Sequence, residues 1–267
     1  MSVAARAPST SALVNGTSVQ LLERGRGRPL LFLHPEIGIA SDAPVLDRLA
    51  ERAHVIVPSH PGFGVSELPK YFTSVDDLAY FYLDLLDVLD LAETVVVGVS
   101  LGAWIAAEIA VKSTQRLSHL VLANAVGIKV GDRETRDIAD IFALTEDKLN
   151  ALAYFDQKLG ERDYKTMPEA EVRIAARNRE ATARYAWSPY MHDPKLKGRL
   201  HRIRIPTLFL WGAADRIVPE SYGRAYCAAI PGARFELIAR AGHFPHLEAP
   251  DEFARRVFAF VEGSPRP

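Results

Sequence analysis

Three polar residues in three separate short motifs carry the reactive potential of this 267-residue chain. Ser100 stands in Gly98-Val99-Ser100-Leu101-Gly102, a G-x-S-x-G pattern that directly follows the apolar run Thr94-Val95-Val96-Val97. A strand that turns straight into a helix forces its corner residue into a strained backbone with positive φ, and flanking glycines let neighbouring backbone approach. A serine at that corner holds its hydroxyl above the sheet, beside a helix N-terminus that favours developing negative charge. The plainer alternative is a Gly-flanked helix N-cap, a position serine also favours.

A bare serine hydroxyl is a weak nucleophile and needs a base within hydrogen-bond reach. Of the eight histidines, His243 lies in Ala241-Gly242-His243-Phe244-Pro245, after the last β-rich run and before the final helical pattern. Such a loop falls at the carboxyl ends of the strands, where α/β sheets place their chemistry. His246 is the rival base, while His54, His119 and His201 sit at element edges with no motif around them. Asp215, in Trp211-Gly212-Ala213-Ala214-Asp215-Arg216, follows another apolar run. A carboxylate just past a strand accepts the second N–H of the base, fixes its tautomer and stabilises the imidazolium. A turn aspartate paired with Arg216 is the simpler reading of the same residue.

These groups meet only if a sheet brings the three loops to one edge. Residues 18–23, 29–34, 55–58, 94–97, 117–122, 206–211 and 235–238 read as strands, alternating with helical patterns at 42–53, 75–89, 101–112, 220–230 and 251–262. Short buried strands alternating with helices predict a mostly parallel sheet covered on both faces. The alternation stops between 126 and 201, where only helical periodicity appears, with Ile138, Ile141 and Phe142 and then Leu149, Leu152 and Phe155 as apolar stripes. A stretch of that length needs its own structure. The expected organisation is therefore a flexible arm at 1–16, a core domain at 17–125 and 202–267, and a helical cap at 126–201.

Segments 98–102, 211–219 and 242–250 resemble the three signature segments of the α/β-hydrolase superfamily, and His60-Pro61-Gly62-Phe63-Gly64-Val65-Ser66 resembles a fourth landmark. The likeness spans the sheet domain and only loosely the cap. It implies an α/β-hydrolase fold, a Ser-Asp-His triad in that chain order, and an oxyanion hole built from backbone N–H groups. Some relatives carry the acid after the preceding strand, where this chain has Asn124, which cannot supply the charge. One oxyanion donor is expected to be the Leu101 amide. The second normally comes from a loop beginning His-Gly, but here the loop reads His34-Pro35-Glu36-Ile37-Gly38. Proline has no N–H, which passes the role to the Glu36 amide, with the Ile37 amide as the alternative. The Glu36 side chain is expected to point to solvent or cap a helix, the alternative being a part in substrate choice or acid–base work. His34, Trp104, Trp187, Tyr190 and Phe244 are candidate pocket residues, each with ordinary packing as the competing reading.

Ser100 argues against the haloalkane dehalogenases and epoxide hydrolases of the superfamily, which carry aspartate at this corner. What remains is a hydrolase of a small or medium carboxylic ester. The alternatives are a carbon–carbon bond hydrolase of ring-cleavage products, a lactonase, a cofactor-free haloperoxidase, or a slow receptor-like binding member. No metal or organic cofactor is expected, since no ligand cluster or phosphate loop stands out.

The bulk composition fits these readings. The formal charge is −1 from 32 basic and 33 acidic residues, with no long basic run, so nucleic acid is not an expected partner. No apolar run approaches the length of a bilayer span. The single cysteine, Cys227, excludes an intrachain disulfide and suits a reducing compartment, and the first residues lack a secretory apolar segment. A cytoplasmic enzyme acting on a small molecule is the expectation.

Overall fold

The computed structural model describes residues 10–132 and 134–264. Its strands are β1 (Thr10–Val14), β2 (Thr17–Arg24), β3 (Pro29–Leu33), β4 (His54–Pro58), β5 (Thr94–Val99), β6 (Leu117–Ala123), β7 (Thr207–Gly212) and β8 (Arg234–Ile238). They form one sheet in the order β1-β2-β4-β3-β5-β6-β7-β8. The β1–β2 and β2–β4 pairs are antiparallel and all the others parallel. Every residue of β5, β6 and β7 is buried. That is why these strands read as unbroken apolar runs rather than as alternating ones: helices cover both their faces.

The helices are α1 (Pro44–Ala50), α2 (Val75–Val88), α3 (Leu101–Lys112), α4 (Glu146–Ala153), α5 (Glu169–Ala186), α6 (Glu220–Ala228), α7 (Pro245–Glu248) and α8 (Pro250–Gly263). Helices α2, α3 and α6 pack into the apolar cluster on one face of the sheet. Helices α1 and α8 pack into the cluster on the other. The α2 start is fixed by a reciprocal capping box between Ser74 and Asp77. Helix α3 is buried from Leu101 to Val111, as a helix that is apolar all round must be. Its one acid, Glu108, accepts from the Trp104 indole N–H at 3.3 Å and from Lys112 at 3.0 Å. This is the α/β-hydrolase fold, and no helix among the described residues is long and apolar enough to cross a membrane.

Two local expectations need correction. Residues 10–14, assigned above to a flexible arm, form edge strand β1, whose register pairs Thr10 with Leu21 and Val14 with Thr17. Asn15 and Gly16 make the hairpin turn with φ of 47° and 84°. Asn-Gly is a favoured pair for a two-residue turn that needs positive φ at both positions. Between β6 and β7, Ile138 lies in a bend and Ile141 and Phe142 in a turn instead of on a helix. Helical spacing over so few residues did not outweigh the local turn hydrogen bonds made by Asp137 and Asp140.

Candidate active site

Ser100 occupies the corner between β5 and α3 with φ 50° and ψ −113°, a conformation that non-glycine residues rarely adopt. The surrounding glycines make the corner possible. A Cβ on Gly102 would lie 2.1 Å from the Leu33 carbonyl oxygen and 2.6 Å from that of His34. One on Gly98 would lie 2.4 Å from the Gly102 oxygen. Those contacts are with backbone: the end of β3 can come close to the corner only because Gly102 lacks a side chain, and α3 can start directly against β5 only because Gly98 lacks one.

The structure brings Ser100, Asp215 and His243 together. The Ser100 hydroxyl and His243 Nε2 are 2.8 Å apart, and His243 Nδ1 lies 2.8 Å from Asp215 Oδ2. All three residues are buried. Asp215 is held on both oxygens: Oδ1 accepts from the Ile217 and Val218 amides at 2.8 and 2.9 Å. Oδ2 also accepts from Asn124 Nδ2 at 2.6 Å. Asn124 therefore sits against the acid, with its own Oδ1 taking the Gly212 N–H at 3.1 Å. Burial alone would lower the pKa of His243. The charge and hydrogen bond of Asp215, with the charge of Glu36, outweigh it and raise the pKa above 6.5.

The base loop is tied to the segment between β6 and β7. The His243 N–H donates to the Ala153 carbonyl at the end of α4, 2.6 Å away. A Cβ on Gly242 would come within 2.2 Å of that same oxygen. Glu248 bridges the two segments, accepting from the Gly242 amide through Oε2 and from Phe155 and Asp156 through Oε1.

The loop after β3 brings Glu36 to this centre, which corrects the expectation of a solvent-facing or capping side chain. Glu36 is 8% exposed, and its Oε1 is 3.9 Å from His243 Nε2. The Leu101 and Glu36 amides donate to no protein acceptor among the described residues, so both remain available to a ligand oxygen. Helix α5 holds the loop from the other side: Asn178 Nδ2 donates to the Ile37 carbonyl at 3.0 Å, and the Thr182 hydroxyl, which donates to the Asn178 carbonyl at 2.8 Å, lies 3.4 Å from the Glu36 carbonyl oxygen. His34 supports the loop from beneath. Its Nδ1–H donates to the Pro35 carbonyl at 2.7 Å and its Nε2 accepts from the His60 amide at 3.1 Å. Burial pushes its pKa down to about 4, consistent with a neutral ring in that role.

The family model described as "Alpha/beta hydrolase family" matches residues 30–256. The chain belongs to the alpha/beta hydrolase family. Among its relatives, the 2-hydroxymuconate semialdehyde hydrolase of Pseudomonas putida is 25% identical over 264 residues, covering 93% of this chain and 92% of the relative. The meta-cleavage product hydrolase of Pseudomonas fluorescens IP01 superposes with a TM-score of 0.76 at 21% identity, over 95% of this chain and 97% of that one. The enol-lactonase of Burkholderia xenovorans LB400 gives 0.76 at 22%, over 95% and 100%. The two structural likenesses establish the fold, and family and relatives together make the chain a hydrolase.

In this alpha/beta hydrolase a cavity of about 450 Å³ opens beside His243. Ile37, Phe142, Leu149, Tyr154 and Phe244 give it an apolar wall, and Glu36 and His243 provide polar groups within it. Ser100 lies one hydrogen bond beyond His243. Of the candidate pocket residues only Phe244 lines this cavity. His34 is consumed in the loop support described above, and Trp104 is buried in the core against Glu108 and Gly127. Trp187 is 59% exposed. Tyr190 spends its hydroxyl on the backbone, accepting from the Ile141 amide and donating to the Ala139 carbonyl. His246 does not reach Ser100; it is buried among Phe32, Phe244 and Phe253. By its type Asn124 cannot supply the acid's charge, and its motif-free context in the sequence carries no signal that it bonds to Asp215.

Proposed function

We propose that the protein hydrolyses a small or medium carboxylic ester through an acyl-enzyme on Ser100. The observation that carries this reading is the continuous hydrogen-bonded path from Ser100 Oγ through both nitrogens of His243 to Asp215 Oδ2, with 2.8 Å at each link. Ser100 Oγ attacks the carbonyl carbon while its proton passes to His243 Nε2. The Leu101 and Glu36 amides donate to the oxygen that gains charge. The imidazolium then protonates the leaving alkoxide. Water, deprotonated by the same nitrogen, attacks the acyl-enzyme and releases the acid. Asp215 stays ionised and stabilises the imidazolium throughout. A mostly apolar cavity of about 450 Å³ suits a substrate with an aliphatic or aromatic body.

A second reading, hydrolysis of a carbon–carbon bond, is supported by the relative from Pseudomonas putida, a 2-hydroxymuconate semialdehyde hydrolase. The same serine and histidine would serve it. The deciding experiment treats the purified protein with a fluorophosphonate probe, locates the adduct by mass spectrometry, and assays p-nitrophenyl esters and 2-hydroxymuconate semialdehyde alongside a Ser100→Ala variant. Labelling at Ser100 with ester turnover supports the first reading. Labelling with turnover of the semialdehyde alone supports the second, and an unlabelled folded protein removes both.

A further inference from the structure

Glu36 brings a second carboxylate to the reaction centre, and the proposed ester mechanism uses only its backbone. Its side chain is more than nine-tenths buried, yet Oε2 has no hydrogen-bond partner. A buried carboxylate oxygen left without a donor is costly, and natural sites resolve it with a ligand or water. The carboxyl group also lines the substrate cavity together with His243. Its Oε1, at 3.9 Å, and Ser100 Oγ, at 2.8 Å, flank the same nitrogen of His243. A substrate whose carbonyl carbon reaches Ser100 therefore sets its adjoining atoms against Glu36.

For a purely aliphatic ester that contact is unfavourable. The carboxylate would face the oxygen that gains negative charge, and at a buried group that repulsion is weakly screened. A donor on the substrate reverses the sign: it satisfies Oε2 and offsets the charge in the same contact. No protein cation does this work, since the only cationic partner recorded for Glu36 among the described residues is His243 itself.

We infer that Glu36 is a specificity-determining residue that selects esters bearing a hydrogen-bond donor, a hydroxyl or an ammonium group, one or two carbons from the scissile carbonyl. The inference rests on the ester reading and deepens it. A site built to bond a substrate donor discriminates strongly against the analogue that lacks one, because its own polar group is then left unpaired.

The test compares methyl 3-hydroxybutyrate and methyl 3-aminobutyrate with methyl 3-methoxybutyrate, and the corresponding 2-substituted esters, by pH-stat. Wild type, Glu36→Gln and Glu36→Leu are measured, with thermal melts to verify folding. Wild type is expected to prefer the donor-bearing esters by about 10- to 100-fold in kcat/KM, the range for a hydrogen bond to a charged group. Glu36→Leu should lose the preference for both donors. Glu36→Gln, which keeps an acceptor oxygen, should retain much of the hydroxyl preference and lose that for ammonium. An unchanged preference in Glu36→Leu overturns the inference. So does an unchanged ammonium preference in Glu36→Gln, should the Leu variant fail to fold. Protection of Ser100 from fluorophosphonate labelling by the same esters reads the preference without turnover. Selective protection with no hydrolysis would therefore remove the ester reading and leave the role of Glu36 standing, whereas hydrolysis with no donor preference would do the reverse.

Discussion

Asn124 donates through Nδ2 to Asp215 Oδ2 at 2.6 Å, the same oxygen that accepts the ring N–H of His243. Asn124 sits one residue past β6, with φ 44°, a left-handed conformation that asparagine tolerates better than most residues. From there its amide spans β6 and β7, accepting from Gly212 and donating to Asp215 and to the Gly242 carbonyl. In the proposed mechanism it is a positioning residue for the acid. Asn124→Ala removes one of the donors to Asp215 and is expected to lower kcat/KM by about 10- to 100-fold, the scale of a hydrogen bond to a charged group. The loss should fall on kcat, with KM little changed and Ser100 labelling slowed in proportion. A variant with unaltered kcat and labelling rate would show that the two amides and His243 orient Asp215 without it.

The acid limb of the pH profile should report His243. Its raised pKa means that the ring is protonated, and so unable to accept the Ser100 proton, at pH values where a free histidine is already neutral. The midpoint of the acid limb of kcat/KM for an ester is therefore expected above 6.5. Glu36 contributes to that rise through its negative charge, which favours the imidazolium. Glu36→Gln removes the charge and should move the midpoint down. A midpoint that stays put would mean that the Glu36 charge does not reach His243 in the working enzyme.

Local chemistry made much of this legible. The strand-corner glycines around Ser100, the strand-end Asp215 and the loop His243 each announce themselves within a few residues, because backbone strain and strand ends act locally. Through-space relations do not. The Glu36 carboxyl is brought beside His243 by the meeting of the β3 and β8 loops, and Asn124 meets Asp215 across β6 and β7. No spacing along the chain encodes either contact. Large side chains were ambiguous for another reason: Trp104, Tyr190 and Phe244 are equally good core and pocket residues by type, and only Phe244 faces the cavity. Strand β1 was missed through its short length and its Ala/Ser-rich flank, although Asn15-Gly16 between Val14 and Thr17 carried the turn signal.

The placement of Phe244 and Trp187 separates wall from surface. Phe244 lines the cavity and packs its ring 4.9 Å from that of His243 and 5.2 Å from that of Tyr154. Phe244→Ala should change the order of preference across esters of increasing acyl length, since it removes a ring that walls the cavity beside His243, and it should lower stability by about 3–5 kcal/mol, the cost of truncating a buried phenylalanine. Trp187 is 59% exposed and lies outside that wall. Trp187→Ala should leave the order unchanged and every rate within about twofold. If Trp187→Ala reorders the panel, the cavity beside His243 is not the whole of the substrate site.

Buried neutral histidines predict a loss of stability in mild acid. Burial is the main cause that pushes the pKa of His246 down to about 3, with smaller contributions from the charges of His243 and His34. Neither ring nitrogen of His246 has a hydrogen-bond partner. In the unfolded chain the same ring titrates near 6.5. Between 6.5 and about 3 the unfolded state therefore binds the extra proton, and stability falls as pH falls. The slope for one such group is about 1.4 kcal/mol per pH unit. From pH 6.5 to pH 5 that is roughly 2 kcal/mol, which for a domain of this size lowers Tm by about 4–8 °C. His34 and His60 add slopes of the same sign. His246→Leu, close to the original in volume, removes one titrating ring and leaves the other two. Its Tm is expected to fall less steeply than that of wild type between pH 7.5 and pH 5, whatever the offset at neutral pH. Parallel curves would mean that His246 takes up its proton without unfolding α7, and that its surroundings admit water.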